Sequence, residues 1–103
     1  MKAIQGKGKY VWRDGSVYEG YYHEGKKEGF GNFNFALSAN QYEGFWKDGK
    51  RDGLGILTDK VGIELKKGKW EKGEFVKSLN KEEWEEKRNY GSESSYQRYY
   101  EEK

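Results

Sequence analysis

The stretch YEGYYHEGKKEGFGNFNF, residues 18–35, returns as YEGFWKDGKRDGLGILT, residues 42–58, with its glycines in place and the residues between them changed. Gly20, Gly44 and Gly68 stand 24 residues apart, as do Gly25, Gly49 and Gly73, and the ring positions Tyr22, Trp46 and Trp70 keep the same step. Gly29 and Gly31 recur as Gly53 and Gly55, and an earlier pair, Gly6 and Gly8, opens the chain in a slightly shorter unit. The array reads as a leading half-unit, two whole units and a trailing partial unit.

Each unit has the marks of a hairpin. Residues 18–23 alternate and are rich in rings, Glu24-Gly25 supplies an X-Gly turn, and residues 29–35 form the return strand; Asp48-Gly49 and Lys72-Gly73 repeat the turn. Residues two apart share a face, so Tyr18, Gly20 and Tyr22 line one side and Glu19, Tyr21 and His23 the other. Gly29, Gly31, Phe33 and Phe35 fall together on the return strand. Glycine at alternate places leaves bare backbone, and a ring from the neighbouring strand has room to lie across it. That requirement keeps the glycines strict, whereas the hairpin tips face water and drift.

Composition bounds the rest. At 103 residues and 33% hydrophobic content, the chain is one modest domain without a large aliphatic core. Nine Tyr, five Phe and four Trp supply most of the apolar area. Fifteen glycines without a single proline argue for positional use of glycine, since disordered low-complexity chains usually combine the two. The net charge of +2 gives no general attraction to polyanions, so nucleic acid is not an expected partner. Residues 1–79 carry 15 basic and 11 acidic side chains, and residues 80–103 carry 5 and 7, which makes the tail mildly complementary to the body. With no cysteine, no apolar leader and no apolar run of membrane-spanning length, the expectation is a soluble cytoplasmic protein.

The quoted segments resemble MORN (membrane occupation and recognition nexus) repeats, whose pattern is Tyr-x-Gly-x-aromatic, a Gly after the turn, then Gly-x-Gly. The resemblance covers roughly residues 6–76, with two departures. Lys66 stands where the third unit should begin with Tyr, and NFALSANQ, residues 34–41, replaces the usual Asp-Gly turn. The resemblance implies a mainly β fold: an elongated, single-layered, twisted antiparallel sheet of successive hairpins over residues 1–79, with a groove-like face for partners. It also implies a non-enzymatic scaffold associated with cytoskeletal or ciliary assemblies, or with membranes.

The pattern changes after Ser78. In NKEEWEEKRNYG, residues 80–91, Asn80 suits an N-cap, Glu83 can reach back to it, acids fill the first turn and Gly91 ends the run. A second helical run holds Tyr96, Tyr99 and Tyr100. Residues 80–103 thus read as one or two short helices that must dock, on the sheet or on a partner, because helices of this length are marginal alone. Trp84, Tyr96 and Tyr99 are the expected docking rings.

Catalytic and metal chemistry find no purchase. GKKEGFG, residues 25–31, lacks the Gly-Lys-Ser/Thr ending of a phosphate loop, and the lone His23 becomes Lys47 in the next unit. The expectation is therefore no catalytic residue, no metal and no cofactor. Rings remain the sharpest signal. Tyr18, Tyr22, Phe33, Tyr42, Trp46 and Trp70 are the expected partner-binding set, holding a helix or extended peptide of a protein partner. The rival is a peripheral membrane adaptor that binds anionic headgroups through basic hairpin tips at Lys26, Lys27, Lys50, Arg51, Lys66 and Lys67, aligned along one edge. Glu24, Glu28, Asp48 and Asp52 bracket the first two doublets and locally neutralise them.

Overall fold

The computed structural model describes residues 6–89, with side chains up to residue 86. Seven strands, β1 (Gly6–Val11), β2 (Val17–His23), β3 (Lys26–Asn34), β4 (Gln41–Lys47), β5 (Lys50–Thr58), β6 (Glu64–Glu71) and β7 (Glu74–Ser78), precede a helix, α1 (Lys81–Asn89). The strands pair in sequence order, all antiparallel, in one open sheet. The mainly β, hairpin-by-hairpin architecture expected from the repeat is what the chain adopts.

Three of the connections are tight because of their sequence. Glu24 and Gly25 have φ of 51° and 79°, and Asp48-Gly49 and Lys72-Gly73 repeat the pair, which gives the two-residue turn whose twist matches that of the strands. At the opposite end of the sheet the connections are longer. Trp12 N–H donates to Ser16 O, and Asp59 N–H to Ile63 O, each loop turning on a glycine of positive φ, Gly15 or Gly62. The departure at residues 34–41 closes the same way with one residue more, Phe35 N–H donating to Asn40 O at 2.9 Å. Ala39, not glycine, holds the left-handed position there, with φ of 59°.

The Gly-x-Gly pairs divide their labour. Gly20 lies opposite Gly31 and Tyr22 opposite Lys27, so Glu28, Gly29 and Phe30 together face Tyr21 across a bulge. Gly29 (φ 80°) and Gly53 (φ 105°) serve the backbone of this bulge and of its copy in β5. Gly31 and Gly55 have no positive φ and serve space instead: a Cβ on either would collide with the phenol of Tyr18 or Tyr42. The first glycine of each pair is thus required by conformation and the second by a ring.

Those rings form the core. Tyr18 and Tyr42 are fully enclosed, and Tyr22, Trp46 and Trp70 are buried with them. Edge-to-face contacts run without a break from Tyr22 to Tyr18, Trp46, Tyr42, Trp70 and Phe75, with centroids 5.1–5.5 Å apart. The opposite face has a smaller apolar patch around Tyr21, Phe30 and Leu54, with Phe30 edge-on to Phe45 at 5.7 Å. Neither Phe30 nor Leu54 stood out in the sequence, although each precedes the spacing glycine of its unit.

The helix starts as its sequence says. Glu83 N–H donates to Asn80 Oδ1 at 2.8 Å and Asn80 N–H to Glu83 Oε1 at 3.1 Å, a reciprocal capping box. Trp84 sits under the Lys67 ammonium, 5.0 Å from its ring centroid, and is not among the side chains packed on the ring core. Tyr96, Tyr99, Tyr100 and the second helical run lie outside the described residues.

Candidate functional site

The ring face repeats its chemistry every 24 residues. Tyr18 Oη donates to Tyr21 O at 2.9 Å and Tyr42 Oη to Phe45 O at 3.0 Å. Trp46 Nε1 donates to Gly31 O and Trp70 Nε1 to Gly55 O, both at 3.1 Å, so each indole ties one hairpin to the next. Tyr22 occupies the matching place in the first unit, and its buried hydroxyl finds no partner among the described residues. Burial raises the Tyr42 pKa far above that of free phenol, because the phenolate would be stripped of water.

Of the six expected partner-binding residues, Tyr18, Tyr22, Tyr42, Trp46 and Trp70 are committed to this core, and Phe33 alone keeps a half-buried surface. The rings cover one another, so a single sheet layer suffices to bury them. Phe33 continues into a second, more open row: Trp12 at 5.3 Å, Phe35 at 4.7 Å, and Tyr10 beyond Trp12. Trp12 and Phe35 are half-buried against the ring core like Phe33, although neither was nominated from sequence; the shared face of Phe33 and Phe35 and the place of Trp12 at the loop end were the available signals.

The basic residues do not form one edge. Lys66 pairs across the sheet with Leu57, in the row of Tyr42, Phe33 and Tyr18, and lies near the long-loop end, whereas the doublets at 26–27 and 50–51 open strands at the hairpin tips. Strand alternation splits each doublet as well. Lys26 and Lys50 are exposed, while Lys27 and Arg51 fold over the rings. The single-edge expectation is therefore corrected: the six cations divide between two ends and two faces.

Lys27 Nζ lies 5.2 Å from the ring centroids of Trp12 and Trp46, 5.6 Å from Phe33 and 5.8 Å from Tyr18. Arg51 Cζ lies 4.5 Å from Trp70, 5.7 Å from Tyr42 and 5.9 Å from Phe35. Desolvation lowers the pKa of both cations. The bracketing acids do not neutralise them. Glu28 accepts Asp48 N–H at 3.3 Å and Asp52 accepts Lys72 N–H at 3.2 Å, which leaves these carboxylates holding the next hairpin tip. Backbone bonds reinforce the link, Gly49 N–H to Lys27 O and Gly73 N–H to Arg51 O.

Between the two cations lies an open groove of about 270 Å³, floored by Phe33, Phe35 and Trp46. Its rim includes Gly49, Lys50 and Gly73, Lys50 being exposed where Lys27 and Arg51 are half-buried, and no acidic side chain lines it. Among the described residues no group of three or more His, Asp or Glu side chains is arranged to hold a metal ion, and no helix is long and apolar enough to cross a membrane.

No curated protein matches the chain significantly. A family model does: the MORN repeat matches residues 3–17, 18–36 and 42–63. The leading unit is thus matched as a repeat in its own right, while the trailing unit, which begins at Lys66 in place of Tyr, lies beyond the matched segments even though β6 and β7 continue the hairpin geometry. The three matches span more than half of the residues, the family is in general a non-catalytic protein- or membrane-binding module, and the chain belongs to the MORN-repeat family.

Proposed function

We propose that this chain is a non-enzymatic interaction module that holds a helix or extended peptide of a protein partner on its ring face, as a scaffold within a larger assembly. The observation that carries this reading is the groove between Lys27 and Arg51, with its floor of Phe33, Phe35 and Trp46. The buried rings beneath act as a rigid base. Phe33, Phe35 and Trp12 offer the aromatic surface that anchors commonly use. The family resemblance adds a cytoplasmic, cytoskeletal or ciliary setting to the proposal.

The membrane-adaptor alternative needs cations and apolar side chains at the same surface. Leu37, Val61 and Ile63 are the most exposed apolar residues of the loops, and they stand at the end opposite to the tip doublets 26–27 and 50–51, so that of the three basic doublets only Lys66-Lys67 lies towards them. That separation favours the protein partner. A photocrosslinking side chain placed at Phe33 or Phe35 should capture one discrete partner in native extract, and the same group at Lys47, on the other face, should not. Equal capture from both faces, or flotation of the protein with anionic vesicles that fades steeply as salt rises while no partner is captured at Phe33 or Phe35, would remove the proposal.

A further inference from the structure

We infer that the groove between Lys27 and Arg51 selects an acidic extended peptide: two carboxylates on alternate residues to meet the two cations, followed by an aromatic side chain for Phe33 and Phe35. The inference rests on the proposed function above and names the chemistry of the partner.

The argument begins with charge. Lys27 and Arg51 are half-buried cations without a carboxylate within ion-pairing distance among the described residues, because the acids adjacent in sequence are turned to the next hairpin tip. Arg51 commits Nη2 to Gly73 O at 2.9 Å and keeps other N–H donors for a ligand. Four rings flank the half-buried Lys27, and a ring offers a cation attraction without satisfying its N–H donors. A carboxylate entering the groove would supply charge-assisted hydrogen bonds in a partly dry place, where they are stronger than in water.

Spacing then fixes the ligand. Lys27 is on β3 and Arg51 on β5, two strands apart, and Arg51 stands level with Trp46 and Gly29, two residues along from Lys27, so their backbones are separated by about 12 Å. Alternate residues of an extended peptide lie about 7 Å apart on one face, and flexible Lys and Arg stems close the remaining gap. The feature is confined to two units. The position 24 residues after Arg51 is Phe75, which meets Trp70 edge-on at 5.1 Å and brings no charge. One acidic pair, not a long acidic run, therefore fits.

The test uses the full chain and three synthetic peptides of about ten residues, carrying Glu-x-Glu-x-Phe, Gln-x-Gln-x-Phe or Lys-x-Lys-x-Phe with Ser as spacer, and reads the Trp46 indole and Arg51 Nε–H signals by NMR. The Glu peptide should bind at least about tenfold more tightly than the Gln peptide, lose that advantage between about 50 mM and about 500 mM salt, and shift Arg51 Nε–H. The Lys peptide should not bind. Lys27→Gln and Arg51→Gln should each weaken the Glu peptide several-fold, and because the peptide series needs no variant, it decides even where one of these variants misfolds. Equal binding of the Glu and Gln peptides would overturn the acidic preference while leaving the aromatic face as a binding surface. Binding of none of the three would overturn the inference, and the crosslinking experiment would then judge the broader proposal. Residues 90–103 contain Glu93, Glu101 and Glu102 among tyrosines, so Glu101→Lys with Glu102→Lys is made in the full chain as a control. A several-fold gain in Glu-peptide affinity from that change would assign the groove to the chain's own tail and overturn the commitment to a partner.

Discussion

Gly55 shows how much of this protein is decided by one missing methyl group. Tyr42 lies across it, closely enough that a Cβ would meet the phenol, and the same relation joins Gly31 to Tyr18. Gly55→Ala should therefore cost about 2–3 kcal/mol, since the ring cannot retreat from a packed core. Gly49 has open space but a φ of 83°, so Gly49→Ala should cost about 1 kcal/mol through backbone strain alone. Urea unfolding of both variants checks the order, and equal losses would refute the ring-over-glycine account. Lys27 makes a second prediction at this scale. Burial lowers its folded pKa, so in the window between that value and the ordinary lysine pKa the unfolded chain holds the proton more tightly. Its contribution to stability should rise with pH across that window, opposite to a lysine in an ion pair. The Cε resonance of Lys27 should titrate below those of the exposed lysines; titration together with them would contradict its place over the rings.

Among the elements, turns carry the clearest sequence signals and one clear exception. The two-residue tips place Glu24, Asp48 and Lys72 at positive φ, each followed by the glycine that makes the turn affordable. The loop after β3 is different: Ala39 holds φ of 59° where the neighbouring long loops use Gly15 and Gly62. Ala39→Gly should raise stability by about 0.5–1 kcal/mol, the left-handed penalty of alanine less the extra chain entropy of glycine. Thermal melting measures it, and a lowered melting point would show that the Ala39 methyl matters more to packing than its backbone does to strain. At the other end of the chain, Asn80 and Glu83 form the capping box that their spacing announced. The position of Trp84 against Lys67 was not legible, because amphipathic spacing says which side of a helix is apolar and not which surface it meets.

In the whole molecule each hairpin touches mainly its neighbours in sequence, as the sequential strand order requires. Stability should accordingly be distributed along the array and not pooled in one centre. Amide exchange is expected to be slowest in β3, β4 and β5, which are paired on both sides and lie under the ring ladder, and fastest in β1 and β7, which are paired on one side only. If β1 exchanged as slowly as β4, the nearest-neighbour description would fail. The same continuity gives the groove its firmness, since Trp46 and Trp70 fasten successive hairpins through Gly31 O and Gly55 O.

The repeat, the hairpins, the turn chemistry, the ring face and the helix cap were all legible in the order of residues. Each of these depends on residues close in the chain or on a period that survives in the text: Tyr18, Gly20 and Tyr22 share a face whatever surrounds them. Which neighbours those residues meet across strands was settled by the fold. It turned Glu28 and Asp52 away from the adjacent cations and towards the next hairpin tip, folded Lys27 and Arg51 over the rings, and enclosed Tyr18 and Tyr42 while leaving Phe33 and Phe35 open. The physical reason is the bulge opposite Tyr21 and its copy opposite Phe45: extra residues there change which partner each side chain faces, and contacts between units depend on that register, not on sequence neighbours.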